Sequence, residues 1–125
     1  MLRGLPKGSS NPQGIFDERT YEEYKALFKN KETVHGMCED YRAAAGLDMQ
    51  QQKEDMEHGR KIKCPIRVLW GTAGLIEKKF EALKDWQNVC AEGMVDSRSR
   101  AVNSGHYIPE ELPDELTDDV LEFFD

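Results

Sequence analysis

The residues most able to do chemistry stand in "SGHYIPEE", Ser104 to Glu111. A histidine there follows a short strand-like run, Arg98 to Asn103, and precedes a proline and two acids that open a helix. In open α/β sheets, reactive groups gather on loops beyond the carboxyl ends of strands. His106 placed so is a candidate general base, and a loop histidine of purely structural or surface role is the alternative reading. Tyr107 beside it reads equally as a packing ring. A base needs a nucleophile to serve, yet no serine sits in a G-x-S-x-G elbow. Gly71 and Gly74 flank a turn without phosphate-loop spacing. His35 lies beside the apolar face of a helix, and His58 near a helix end, where a cation favours the dipole. "CEDYRAAAG" packs two acids, Tyr41 and an arginine into one helical turn; spacing alone makes it a solvated face with an amphipathic ring.

The bulk composition bounds the partners. The 125 residues suit one domain, and 38% apolar against 33% charged residues, in periodic groups, suits a polar globular chain. A net charge of -7 argues against nucleic acid, which demands clustered Lys and Arg. Cys38, Cys64 and Cys90 form no C-x-x-C and no even framework, so neither zinc nor structural disulfides are expected. No metal and no cofactor is expected, and the reading is of a reducing, cytoplasmic setting. "MLRGLPKGSS" lacks an apolar core, so no signal peptide is expected. No apolar stretch reaches the length of about 20 residues that a membrane span needs.

The elements that must position these residues follow from periodicity. Residues 1–15 read as a mobile lead-in. Asp17 caps a first helix to about Lys29, with Tyr21, Tyr24, Leu27 and Phe28 on one face. A second helix runs from about Lys31 to Ala45 and stops at Gly46. Asp48 with Gln51 resembles a capping box opening a third, very polar helix that Gly59 ends. Then "IRVLW", after Pro65 and before Gly71, reads as a short buried strand. "EKKFEALKDWQNVCA" reads as one amphipathic helix with Phe80, Leu83, Trp86, Val89 and Cys90 inward, and "RSRAVNSG" as a second strand. Pro113 opens a last helix with Leu116, Val120, Leu121 and Phe124 on its apolar side. Strand, helix, strand at this spacing implies a parallel pair with a right-handed crossover.

Two stretches also resemble a known family. "VHGMCEDYRAAAGLDMQQQKEDMEHGRKIKCPIRVLWG" and "SGHYIPEELPDELTDDVLEFF" resemble the C-terminal half of α/β-hydrolases of the fluoroacetate (haloacetate) dehalogenase type, with epoxide hydrolases nearby. The resemblance runs from about Phe16 to Phe124. It implies a partial α/β-hydrolase fold: a two-stranded parallel βαβ unit plus cap-derived helices, residues 1–58 being the end of the cap and return helices and 59–125 the last part of the core. In such enzymes an aspartate displaces halide to form an ester, and a histidine activates water to hydrolyse it. Carried over, that histidine is His106, and Tyr41 is the cap tyrosine that helps hold the departing halide. The family's nucleophile, its orienting acid and its carboxylate-binding arginines all precede the cap, and no counterpart stands in these 125 residues. Three readings follow: a truncated hydrolase not catalytic alone, a half-enzyme completed by a separate N-terminal hydrolase chain, or a small dimeric interaction domain. The strand that should flank "IRVLW" is missing, so a homodimer is expected, by pairing through that edge or by exchange of the helices before Gly59.

Overall fold

The computed structural model describes residues 14–125, so the lead-in read over residues 1–15 lies, up to Gln13, outside the described residues. The chain divides into two compact units, Asp17–Lys61 and the stretch Ile62–Asp125 together with Ile15 and Phe16.

The first unit is helical: α1 (Glu18–Leu27), α2 (Lys31–Ala45) and α3 (Leu47–Glu57). Asp17 caps α1 by accepting from the Thr20 amide at 3.0 Å and the Thr20 hydroxyl at 2.6 Å. Those bonds, the hydroxyl's first, hold its carboxyl below the usual aspartate range. Asn30 caps α2 through the amides of Glu32 and Thr33. The capping box expected at Asp48 does not form. Only Gly46 separates α2 from α3, so α3 starts at Leu47 without a side-chain cap. Asp48 falls inside the first turn, where its charge still favours the helix N-terminus. Gly59, at φ +63°, ends the run. His58 is the last cap: its Nδ1 lies 2.7 Å from the Glu54 carbonyl. A carbonyl can only accept, so that nitrogen carries the proton. None of the three helices contains a buried residue.

The second unit holds the parallel pair. β1 (Leu69–Gly71) lies beside β2 (Arg100–Val102), with Leu69 opposite Arg100 and Gly71 opposite Val102. Isolated parallel bridges, Ile66 to Val95 and Ile62 to Cys90, extend the parallel pairing toward the N-terminal side but in shifted register. The regular ladder is thus shorter than the apolar run. Pro65 brings no N–H to it. Gly93, at φ +78°, turns the facing segment.

The connection is not one helix. It breaks into α4 (Leu75–Lys79) and α5 (Ala82–Val89), because Phe80 adopts an extended backbone at φ -130°, ψ 153°. Of the inward set expected there, only Cys90 is buried, joined by Ala82; Phe80 is 55% and Trp86 42% exposed. After β2 come α6 (Ile108–Glu111) and α7 (Pro113–Phe124). Pro113 does open α7, yet the expected apolar side is largely bare, with Phe124 79% and Val120 46% exposed. The residue α7 buries is Asp119.

Among the described residues no helix is long and apolar enough to cross a membrane, and no group of three His, Cys, Asp or Glu residues could hold a metal. The three cysteines are free; Cys90 alone is buried.

Candidate functional site

The end of β2 sets the site. Val102 and Ser104 are buried at 4% and 2% exposure. The chain then passes hard against the turn after β1. A Cβ on Gly71 would lie 1.9 Å from the Gly105 carbonyl oxygen and 2.6 Å from that of Ser104. Only glycine fits there. The Ala73 amide donates to the Ser104 carbonyl at 3.0 Å, and the Thr72 amide to the Val102 carbonyl at 2.9 Å. These contacts fix the two residues before His106 against the sheet.

On its other side the loop is held by Glu111. One carboxylate oxygen accepts from the Gly105 amide at 2.7 Å, and the other from the Tyr107 amide at 3.2 Å. The two amides flank His106, so a single carboxylate clamps the backbone on both sides of it. Negatively charged acceptors make the stronger class of hydrogen bond. The segment "PEE" was legible only as a helix start; that its second acid folds back on the histidine loop depends on the tight turn of α6, which spacing does not reveal.

His106 itself is exposed, on the loop beyond the carboxyl end of β2. Its described contact is the edge of the Tyr107 ring, 5.2 Å between centroids at 79°. Tyr107 in turn packs edge-on to Phe16 at 5.1 Å. That contact makes it the packing ring of the pair. The imidazole has no carboxylate partner among the described residues. Tyr41 stands in the helical unit, on α2, 79% exposed, one residue before the arginine of the Arg42–Glu39 ion pair. His35, also on α2, has Nδ1 3.7 Å from a Glu39 oxygen in an exposed pair.

A second polar cluster anchors the α7 face of the sheet. Arg67, its side chain 7% exposed, donates to Asp96 at 2.7 and 2.9 Å and to the Asp119 carbonyl at 2.8 Å. Arg100 grips both Asp119 oxygens at 2.8 Å and Glu115 at 2.9 Å. The Arg100 bonds, before any other influence, hold the Asp119 carboxyl below its usual range, and the same pairing raises Arg100. Asp96 is lowered by the Arg98 amide first and by Arg67 next. Arg67, Arg100, Asp96 and Asp119 all find their partners within the cluster, so it ties α7 to the strands rather than offering a ligand site. A lone arginine inside "IRVLW" was the sequence signal for it.

The parallel pair, its helical crossover and the histidine loop beyond it form part of an α/β-hydrolase-type fold. Over 116 residues, 93% of its length, the chain is 31% identical to a fluoroacetate dehalogenase from Burkholderia sp, of which it spans 36%, the C-terminal part. It also superposes on a candidate acyltransferase from Salmonella enterica with a TM-score of 0.74 at 27% identity, covering 98% of this chain and 36% of that one. No family model matches the sequence. The chain therefore spans little more than a third of each of these two proteins.

Proposed function

We propose that this chain is the histidine-bearing portion of a haloacetate-dehalogenase-like hydrolase, and that it does not release halide on its own. The observation that carries the proposal is the place of His106: exposed, beyond the carboxyl end of β2, on a backbone clamped by Glu111. A base so held can take a proton from water as that water attacks an ester carbonyl. The ester must first form on a carboxylate nucleophile, and the resemblance implies that this group precedes the cap, outside these 125 residues. Tyr41 is proposed to hold the departing halide, and residues 1–58 to be cap-derived. A histidine alone cannot form the ester, so purified chain should release no fluoride from fluoroacetate above a His106→Ala control, read with a fluoride electrode. Steady release above that control would refute the proposal. The open edge of β1 favours a second reading, a small interaction domain that dimerises through it; light scattering separates the two, since the first expects no defined two-copy species.

A further inference from the structure

The loop that carries His106 is held by its backbone, and the histidine ring is not. Gly105 is caught between the close approach to Gly71 and one Glu111 oxygen, and the Tyr107 amide is bonded to the other oxygen. The direction of the imidazole nitrogens is then left to the side-chain torsions of His106. Among the described residues the ring that borders it is Tyr107, 5.2 Å between centroids at 79°. An edge-to-face contact of this kind is directional, because the positive edge of one ring meets the negative face of the other. Tyr107 can limit the histidine only if its own ring is fixed. That ring lies 5.1 Å from the ring of Phe16, at 66°, in a second edge-on contact. Phe16 follows Ile15, which is 6% exposed. Both belong to the sheet unit, although the helical unit begins at the next residue, Asp17. The rings of Phe16, Tyr107 and His106 thus run in a chain from an anchored segment to the candidate base.

We infer that Phe16 is a positioning residue for His106, acting through the Tyr107 ring. The inference rests on the proposed function and deepens it. A general base takes a proton only when its nitrogen faces the attacking water, so an imidazole spread over several rotamers serves poorly. Three observations carry the inference. The Glu111 bonds end at peptide groups, which leaves the imidazole to ring contacts. Both ring contacts fall inside the span of about 4.5–7 Å over which aromatic pairs attract. Phe16 and Tyr107 are each half-buried while His106 is exposed, so the first two rings are the fixed members and the third is the one they orient. A pair of this geometry biases an equilibrium by about two- to tenfold. That is enough to favour one rotamer of a ring that nothing else described touches.

The test uses the whole chain with carbon-13 in its histidine rings. In the parent, nuclear Overhauser contacts should join the Phe16 ring to Tyr107 and the Tyr107 ring to His106. The His106 ring should also be more ordered than that of His35, the exposed histidine on α2. Phe16→Leu keeps apolar volume and removes the ring. It should raise the share of other His106 rotamers by about two- to tenfold and lower the order parameter of the His106 ring. Amide exchange at Gly105 and Thr72 should stay as in the parent. Phe16→Tyr and Tyr107→Phe keep both rings and should preserve the ordered His106 signals. Missing ring contacts in the parent overturn the inference, whatever the variants do. So does a His106 ring unmoved by Phe16→Leu, or one disordered by Phe16→Tyr. Faster exchange at Gly105 and Thr72 in Phe16→Leu also overturns it, because Phe16 would then hold the fold and not the ring. None of these measurements reads turnover. A ring that answers to Phe16 in a protein whose His106 proves not to be the base keeps the positioning role and rejects the other reading.

Discussion

Glu111 places its two oxygens on the amides of Gly105 and Tyr107, at 2.7 and 3.2 Å, and so fixes the backbone that carries His106. Glu111→Gln keeps the shape but turns one acceptor into a donor facing an N–H. Hydrogen bonds to charged groups contribute about 1.5–3 kcal/mol. Hydrogen exchange at Gly105 and Tyr107 should therefore accelerate by about tenfold or more, with the Thr72 amide as unaffected reference. Equal acceleration of all three would mean general destabilisation and not a local clamp. His106→Ala should behave in the opposite way. Among the described residues the exposed ring touches the edge of Tyr107 and makes no hydrogen bond. Its loss should change stability, read from the melting profile by circular dichroism, by no more than about 0.5 kcal/mol. So small a cost would fit the role proposed for His106, which does not depend on packing. At this scale the sequence disclosed the histidine, by its place after a strand, and hid the clamp, which exists only once α6 has turned.

At the scale of elements the two strands and the cap of α1 were legible because each depends on neighbours in sequence: Pro65 and Gly71 around an apolar run, Asp17 three residues before Thr20. The crossover was not. Residues 77–91 have helical periodicity throughout, yet Phe80 leaves the helix, a tertiary outcome that local pattern does not encode. Nor does a helical wheel reveal that α7 attaches through Asp119 and not through its apolar stripe. Asp119 is 6% exposed between Arg67 and Arg100. Removing its charge leaves Arg67 with Asp96 and the Asp119 backbone carbonyl, and Arg100 with Glu115, so what is lost is the pair's charged hydrogen bonds, about 1.5–3 kcal/mol. Asp119→Asn should thus stay folded but lose about 1.5–3 kcal/mol, read by urea unfolding at pH 7; an unchanged midpoint would mean that Asp96 and Glu115 satisfy the two arginines by themselves. The pH dependence has a defined sign. Both Asp96 and Asp119 are lowered in the folded chain. Their contribution is complete above the unfolded value, about 4, and is lost as pH falls through the folded values. Stability should be flat from about pH 7 to 5 and decline below about pH 4. Asp119→Asn should flatten that decline.

For the whole molecule the deciding fact is how little is buried. Among the described residues the buried apolar ones are Ile15, Ala82, Cys90 and Val102, and α1 to α3 add none. Burial of apolar surface is the main favourable term against the entropy of ordering some 1–2 kcal/mol per residue of backbone, roughly. Four fully buried side chains, three of them small, with the strand residues around them only half-buried, make a thin core for a chain of this length, while Phe80, Trp86, Leu121 and Phe124 stay between 42% and 79% exposed. Charged helix surfaces and the Arg67–Asp119 cluster fix which contacts form, not how much surface leaves water. Scanning calorimetry of the chain alone should accordingly give a broad transition, with an enthalpy well below the roughly 0.7 kcal/mol per residue of a cooperative domain. A single sharp peak of full enthalpy from the chain alone would show that the half-buried strand residues and the Arg67–Asp119 cluster suffice to make the chain cooperative.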